Sequence, residues 1–192
     1  MRNTRAILPL LLVLAPTMAL AQAVPGGTNL GNGSGGNQLV ITGQAPQACV
    51  IAGSVQSSET NAIVNAGPTA AQVVVGQLVD ANSVPMAATA NLQLPVICNT
   101  ANVLSISTAN GALTLQGTAP PATGFRSQLP YTVSANWAGQ AQSVNSGAPL
   151  QIASANAATG TVSIDIAIPA GGEPLLAGTY SDSIVVQLQP SN

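Results

Sequence analysis

The sequence predicts an all-β protein built as an antiparallel sandwich. Apolar residues recur at every second position along most of the chain, which is typical of strands with one buried face. Short clusters of Gly, Pro, Asn and Ser separate these runs and mark turns. No stretch repeats its apolar residues with the period of a helix. A buried parallel sheet would instead show continuous apolar runs with helices between them.

The individual strands follow from this alternation. The residues predicted to face the core are Leu92, Leu94, Val96 and Cys98, then Leu104, Ile106 and Thr108, then Leu129, Tyr131, Val133, Ala135 and Trp137, then Val162, Ile164, Ile166 and Ile168, and finally Ile184, Val186 and Leu188. Val73–Val75 is a further predicted strand, and turns are predicted at 110–111, 120–121, 146–147, 170–172 and 177–178. Roughly seven short strands at this spacing predict an immunoglobulin-like sandwich.

The N-terminus is typical of a secretory signal peptide. Two arginines precede the apolar run Ala6–Ala15, which is too short for a permanent membrane anchor. The small residues of Ala19–Ala21 then predict cleavage after Ala21, with cleavage after Ala23 as the alternative. We therefore predict a signal peptide over residues 1–21, which is excluded from the fold, and an exported chain without membrane insertion.

The remaining chain divides into an arm and a domain. Residues 22–37 are rich in Gly, Asn, Pro and Ser and predict a flexible arm, while 38–192 form the predicted domain. After cleavage, Arg126 is the one basic residue against five acidic ones, a net charge of −4. A nucleic-acid partner requires clustered basic residues, so the composition excludes that class of function. The same lack of basic residues gives no support for binding to an anionic membrane surface.

Two cysteines predict one disulfide. Cys49 and Cys98 would meet an oxidising compartment after export, and in the chain-entropy account their bond contributes about 4 kcal/mol. The alternation points Cys98 inward, where we expect a disulfide between the two sheets. Free thiols or a metal site are disfavoured, because the sequence has no His and no third Cys.

The sequence carries no recognisable catalytic apparatus. The absence of His excludes Ser-His-Asp triads and most zinc sites, and we predict neither enzyme activity, nor a cofactor, nor a metal. A glycosidase pair of Glu59 and Glu173 is the remaining enzymatic hypothesis, although nothing in the strand pattern brings them together. The sequence Asp80-x-Asn82 lacks the other oxygen ligands of a calcium loop.

The aromatic residues have two interpretations. Trp137 and Tyr131 could form a sugar-binding platform, but they share one alternating apolar face, which favours core packing. Phe125, next to Arg126, is either an exposed contact or the anchor of a loop.

The C-terminal segment 177–188, with the sequence AGTYSDSIVVQL, resembles the terminal motif of the spore coat protein U domain family, which includes subunits of archaic chaperone–usher pili. Cys49 after a short strand, Cys98 at the end of a strand and the tyrosine-bearing run Leu129–Ser134 also resemble that family. The resemblance covers about residues 38–189.

This resemblance implies an immunoglobulin-like fold that lacks its last strand. Tyr180 stands where a tyrosine corner precedes the penultimate strand, and we expect its hydroxyl to anchor the loop before it. If residues 183–188 are that strand, the chain ends before a last strand can form, which leaves an open groove. In the family, a neighbour's N-terminal segment fills the groove by donor-strand complementation.

The donor candidate is Gln38–Thr42, shortly before the first cysteine. Leu39 and Ile41 are two residues apart, so both could point into one groove while Val40 and Thr42 face away. The alternative is that this segment is the first strand of its own domain.

The expected function is that of a non-enzymatic structural subunit of an extracellular, pilus- or fimbria-like fibre. The resemblance implies as partners copies of the chain or related subunits, a periplasmic chaperone and an outer-membrane usher, with passage through the periplasm to the cell surface. The alternative is a stand-alone secreted immunoglobulin-like module that binds a surface glycan or protein.

Overall fold

The computed structural model describes residues 6–12, 41–66, 70–117 and 123–191. These ranges form an all-β sandwich of mainly antiparallel sheets without a helix, as the alternation predicts. The strands are β1 (Ala6–Leu12), β2 (Cys49–Ile51), β3 (Gln56–Thr60), β4 (Ala62–Ala66), β5 (Ala70–Val75), β6 (Ala88–Cys98), β7 (Asn102–Thr108), β8 (Leu113–Leu115), β9 (Gln128–Leu129), β10 (Thr132–Trp137), β11 (Gln140–Asn145), β12 (Leu150–Ser154), β13 (Ala158–Ile168), β14 (Tyr180–Ser181) and β15 (Ile184–Pro190).

The strands are arranged in two sheets. In the first sheet β12, β7, β15, β1, β5 and β4 are neighbours in that order, and β14 also pairs with β1 and continues to β8 and β9. In the second sheet the order is β11, β10, β13, β6 and β2, with β3 also paired to β6. The longest ladder joins β6 to β13 and runs from the pair Ala88 and Ile168 to the pair Cys98 and Ala158.

The core lies between the sheets and is contributed by alternate residues. In β6, every second residue from Ala88 to Cys98 is buried, and the residues between them are partly or fully exposed. The three largest buried side chains are Trp137, Tyr131 and Tyr180. The inward-facing residues predicted for the five clearest strands are buried, apart from Thr108 and Leu188, which are partly exposed.

The chain crosses from the second sheet to the first at Asn61, between β3 and β4. Asn61 has a φ of 53°, a left-handed conformation that Asn tolerates better than most residues. Its side-chain Nδ2 donates to the carbonyls of Gln77 (2.8 Å) and Ala87 (3.0 Å), and its Oδ1 accepts the N–H of Gln77 (2.9 Å). One amide therefore joins this turn to the end of β5 and the start of β6.

Several strands have no counterpart in the sequence prediction, among them β3, β4, β8, β11 and β12. Nearly every residue of β3 and β11 is exposed, so neither strand has an apolar face for the period-two pattern to reveal.

Candidate functional site

The candidate site is the position that β1 occupies in the first sheet. β1 runs parallel to β15, where Leu10 is opposite Ile184, and antiparallel to β5, where Leu10 is opposite Ala71. It is therefore paired on both sides. Without it, β5 and β15 would each present a row of backbone N–H and C=O groups with no partner strand at this position.

Core-facing residues of β5 and β15 border this position. All of them are buried: Ala71, Val73, Val75, Ile184 and Val186. The register sets residues 6, 8 and 10 of β1 opposite the buried residues of β5, and residues 10 and 12 opposite those of β15. Because residues paired across a sheet share a face, the position suits a strand with apolar residues at every second place.

The segment that forms β1 lies inside the run Ala6–Ala15, the apolar part of the predicted signal peptide. Sequence reasoning excludes residues 1–21 from the fold, whereas the structure pairs residues 6–12 with three strands, β5, β14 and β15. A short continuous apolar run is compatible with a strand as well as with a signal peptide, so this alternative could have been read from the sequence.

Of the donor candidate Gln38–Thr42, the structure describes only residues 41 and 42. Leu39 lies outside the described residues. Ile41 is 88 % exposed, and residues 41–48 form no strand. The described part of Gln38–Thr42 therefore pairs with neither sheet of its own domain, and its role as a donor stays a prediction.

Tyr180 connects β14 to the loop that precedes it. Its ring is buried, and its hydroxyl lies 2.9 Å from the carbonyl oxygen of Leu176 and 3.2 Å from that of Arg126. Burial raises the pKa of this hydroxyl, so it stays protonated and can donate to these carbonyls.

The motif around Tyr180 also contains a residue that sequence reasoning missed. Asp182 is 1 % exposed, and its carboxylate accepts hydrogen bonds from the hydroxyl of Tyr131 (2.9 Å) and the backbone N–H groups of Asn110 (2.8 Å) and Ser183 (2.7 Å). Gly178 packs so closely that an added Cβ would overlap Leu115. The Gly, Tyr and Asp of the motif therefore each have a structural task.

The disulfide joins Cys49 to Cys98, but not between the two sheets as the sequence analysis expects. Both residues lie in the second sheet, as directly opposed partners on β2 and β6 with Cα atoms 4.1 Å apart. Directly opposed residues of antiparallel strands can approach this closely when they are not hydrogen-bonded to each other. The inward phase of Cys98 is correct, and the wrong inference concerned the location of its partner.

The other polar candidates lie apart. Glu59 is exposed on β3, and Glu173 is exposed in the loop between β13 and β14. The Oδ1 of Asp80 accepts the N–H groups of Asn82 (2.8 Å) and Val84 (2.9 Å), so this carboxylate organises its own turn. Asp165 accepts a hydrogen bond from Asn91 at 2.7 Å.

The large aromatic residues are used inside the molecule. Trp137 and Tyr131 are both buried, and the indole Nε1 of Trp137 donates to Oδ1 of Asn102 at 2.7 Å. Phe125 is 46 % exposed. Neither Trp137 nor Tyr131 offers a ring face to a sugar.

Within the described ranges, no three His, Cys, Asp or Glu side chains come together in a group that could hold a metal ion. Nor does this part of the chain contain a helix with the length and apolar character that a bilayer crossing demands. No protein-family model matches the chain, and no curated protein matches it significantly.

Proposed function

We propose that this chain is a non-enzymatic structural subunit of an extracellular fibre, in which each domain is completed by a strand from another copy. The observation that carries the proposal is the place of β1 between β5 and β15. The strand that fills this position comes from the segment whose sequence is typical of a signal peptide. Its removal on export would open the position to a strand from elsewhere.

An open position would be costly for an isolated domain. The buried apolar residues of β5 and β15 would meet water, and each fully exposed Val or Ile side chain costs on the order of 1.5–3 kcal/mol. The two ladder edges would also be free to pair with other chains. Insertion of an extended segment removes both costs, which is the principle of donor-strand complementation.

The C-terminal motif supports a spore coat protein U-type, immunoglobulin-like domain. Tyr180 donates to the loop before β14, as the tyrosine of a tyrosine corner does, and Asp182 holds the start of β15. In this proposal β15 is the penultimate strand, and the β1 position is that of the missing last strand.

The donor segment in this proposal is Gln38–Thr42. Its support is the spacing of Leu39 and Ile41, which matches the alternate apolar positions that the groove requires, and the exposure of Ile41 outside both sheets. By resemblance, a periplasmic chaperone would hold the groove before assembly and an outer-membrane usher would export the growing fibre to the cell surface.

The test uses the exported chain from residue 22 and a variant from residue 45 that lacks the arm and the donor candidate. Both are refolded with or without a synthetic peptide of residues 36–44, and a peptide with Leu39→Asp and Ile41→Asp serves as the matched control. We expect the longer chain to form oligomers, and the shorter chain to stay monomeric while the unaltered peptide raises its melting temperature.

Size-exclusion chromatography and thermal unfolding read out the result. If the longer chain is a stable monomer whose melting temperature no peptide changes, the proposal is wrong. That result would favour a stand-alone secreted binding module.

A further inference from the structure

The N-terminal segment enters the fold at one corner of the second sheet. Residues 41–48 form no strand, and the first paired residue after them is Cys49, at the start of β2. β2 itself has only three register pairs with β6, from Cys49 to Ile51. Three register pairs supply few hydrogen bonds, so β2 alone resists detachment only weakly.

Asn99 extends this attachment beyond β2. Its backbone N–H donates to the carbonyl of Ala48 (3.0 Å), its side-chain Oδ1 accepts the N–H of Ala48 (2.8 Å), and its Nδ2 donates to the carbonyl of Pro46 (2.7 Å). The planar amide supplies an acceptor and a donor at once, which a carboxylate or a hydroxyl cannot reproduce with the same geometry. Asn99 thus holds the chain at Ala48 and Pro46, one and three residues before Cys49.

The disulfide links the N-terminal segment covalently to the end of β6. Cys98, next to Asn99, is 2 % exposed and ends β6, which pairs along its whole length with β13. Because Cys49 is the first residue of β2, the covalent path from the N-terminal segment bypasses β2 and reaches β6, an inner strand of the sheet, directly.

We propose that Asn99 and the Cys49–Cys98 disulfide form a mechanical anchor, which transmits tension on the N-terminal segment into β6. The proposal rests on the proposed function only for the source of the tension, which in a fibre would be the segment held by the neighbouring copy. Without the anchor, a pull on residue 48 would open β2 from its first pair, and then β3, one hydrogen bond at a time. With it, these strands carry none of the tension.

The test is single-molecule pulling on the full chain as a monomer. One handle is attached through an azide-bearing residue at Gly43, where an added side chain meets open space, and the other through a tag after Asn192. The chain with its disulfide is compared with the Cys49→Ala, Cys98→Ala double variant and with the reduced wild-type chain. We expect an additional step at lower force in the last two, as β2 and β3 release roughly 40 Å of extended chain.

Hydrogen exchange tests the part played by Asn99. Asn99→Ala should lose the protection of the Ala48 amide, whereas Asn99→Asp, which keeps an acceptor for that N–H, should retain it. Unchanged protection in Asn99→Ala would remove Asn99 from the anchor. A rupture pattern in both disulfide-free chains that matches the wild type would overturn the proposal as a whole, and since no assembly is involved, either result is separable from a failure of the fibre hypothesis.

Discussion

The hydroxyl of Tyr131 donates a hydrogen bond of 2.9 Å to the buried carboxylate of Asp182, 51 residues later in the chain. Tyr131 lies between β9 of the first sheet and β10 of the second, and Asp182 lies between β14 and β15. The contact therefore ties the passage between the sheets to the start of β15, a strand that borders the candidate groove.

Replacing Asp182 should destabilise the domain strongly. Asp182→Ala leaves the Tyr131 hydroxyl and the N–H groups of Asn110 and Ser183 without their acceptor, at about 1–3 kcal/mol for each unsatisfied donor. Denaturant unfolding measures the loss. Asp165→Ala is the matched control, because that carboxylate is exposed and its removal should change stability by no more than about 0.5 kcal/mol. Equal effects of the two variants would contradict this account.

The domain should lose stability at alkaline pH. Burial, then the charge of Asp182 and the hydrogen bond to it, raise the pKa of Tyr131 above its ordinary value of 10.0. Above pH 10 the unfolded chain releases this proton while the folded chain keeps it, so the contribution is complete below pH 10 and is lost as the pH rises.

Urea unfolding between pH 8 and 11.5 checks this dependence, at roughly half-unit steps around the ordinary tyrosine pKa. Tyr131→Phe should flatten part of the alkaline decline. Tyr180→Phe should flatten another part, because burial also raises the pKa of Tyr180. An alkaline decline that neither variant alters would exclude the two tyrosines as its cause.

The hydroxyl of Tyr180 should contribute about 1 kcal/mol to the free energy of unfolding, the net worth of one hydrogen bond. Tyr180→Phe keeps the buried ring and removes the bond to the Leu176 carbonyl. We expect a lower denaturation midpoint with an unchanged slope at neutral pH. An unchanged midpoint would mean that the ring packs without anchoring the loop.

The two interpretations of Gln38–Thr42 differ in the effect of Leu39→Asp with Ile41→Asp. As a donor, the segment is dispensable for the fold of its own monomer, so the variant should fold normally and fail to polymerise. As a first strand, it would bury two unpaired carboxylates and unfold the domain at a cost of several kcal/mol.

Circular dichroism and a polymerisation assay distinguish these outcomes. Val40→Asp with Thr42→Asp is the control, since it adds the same charge at the positions predicted to face away from the groove. Loss of the folded monomer in the Leu39, Ile41 variant alone would reject the donor assignment.

The sequence by itself determined the fold class and the inward faces of the clearest strands. Side chains alternate across a strand whatever it pairs with, so the Val and Ile residues of β13 and the inward phase of Cys98 could be read locally. The sequence prediction missed β3 and β11 because nearly all of their side chains are exposed, so no alternating apolar pattern marks them as strands. They form by pairing with a neighbouring strand.

Only the tertiary structure decided which distant segments meet. Asp182 belongs to the C-terminal motif, but its burial depends on Tyr131 and Asn110, which are distant from it in the chain. The choice of partner strand likewise put Cys49 opposite Cys98 in one sheet and set β1 between β5 and β15. Strand partners are selected by long-range packing and hydrogen bonding, which the local alternation of apolar residues does not encode.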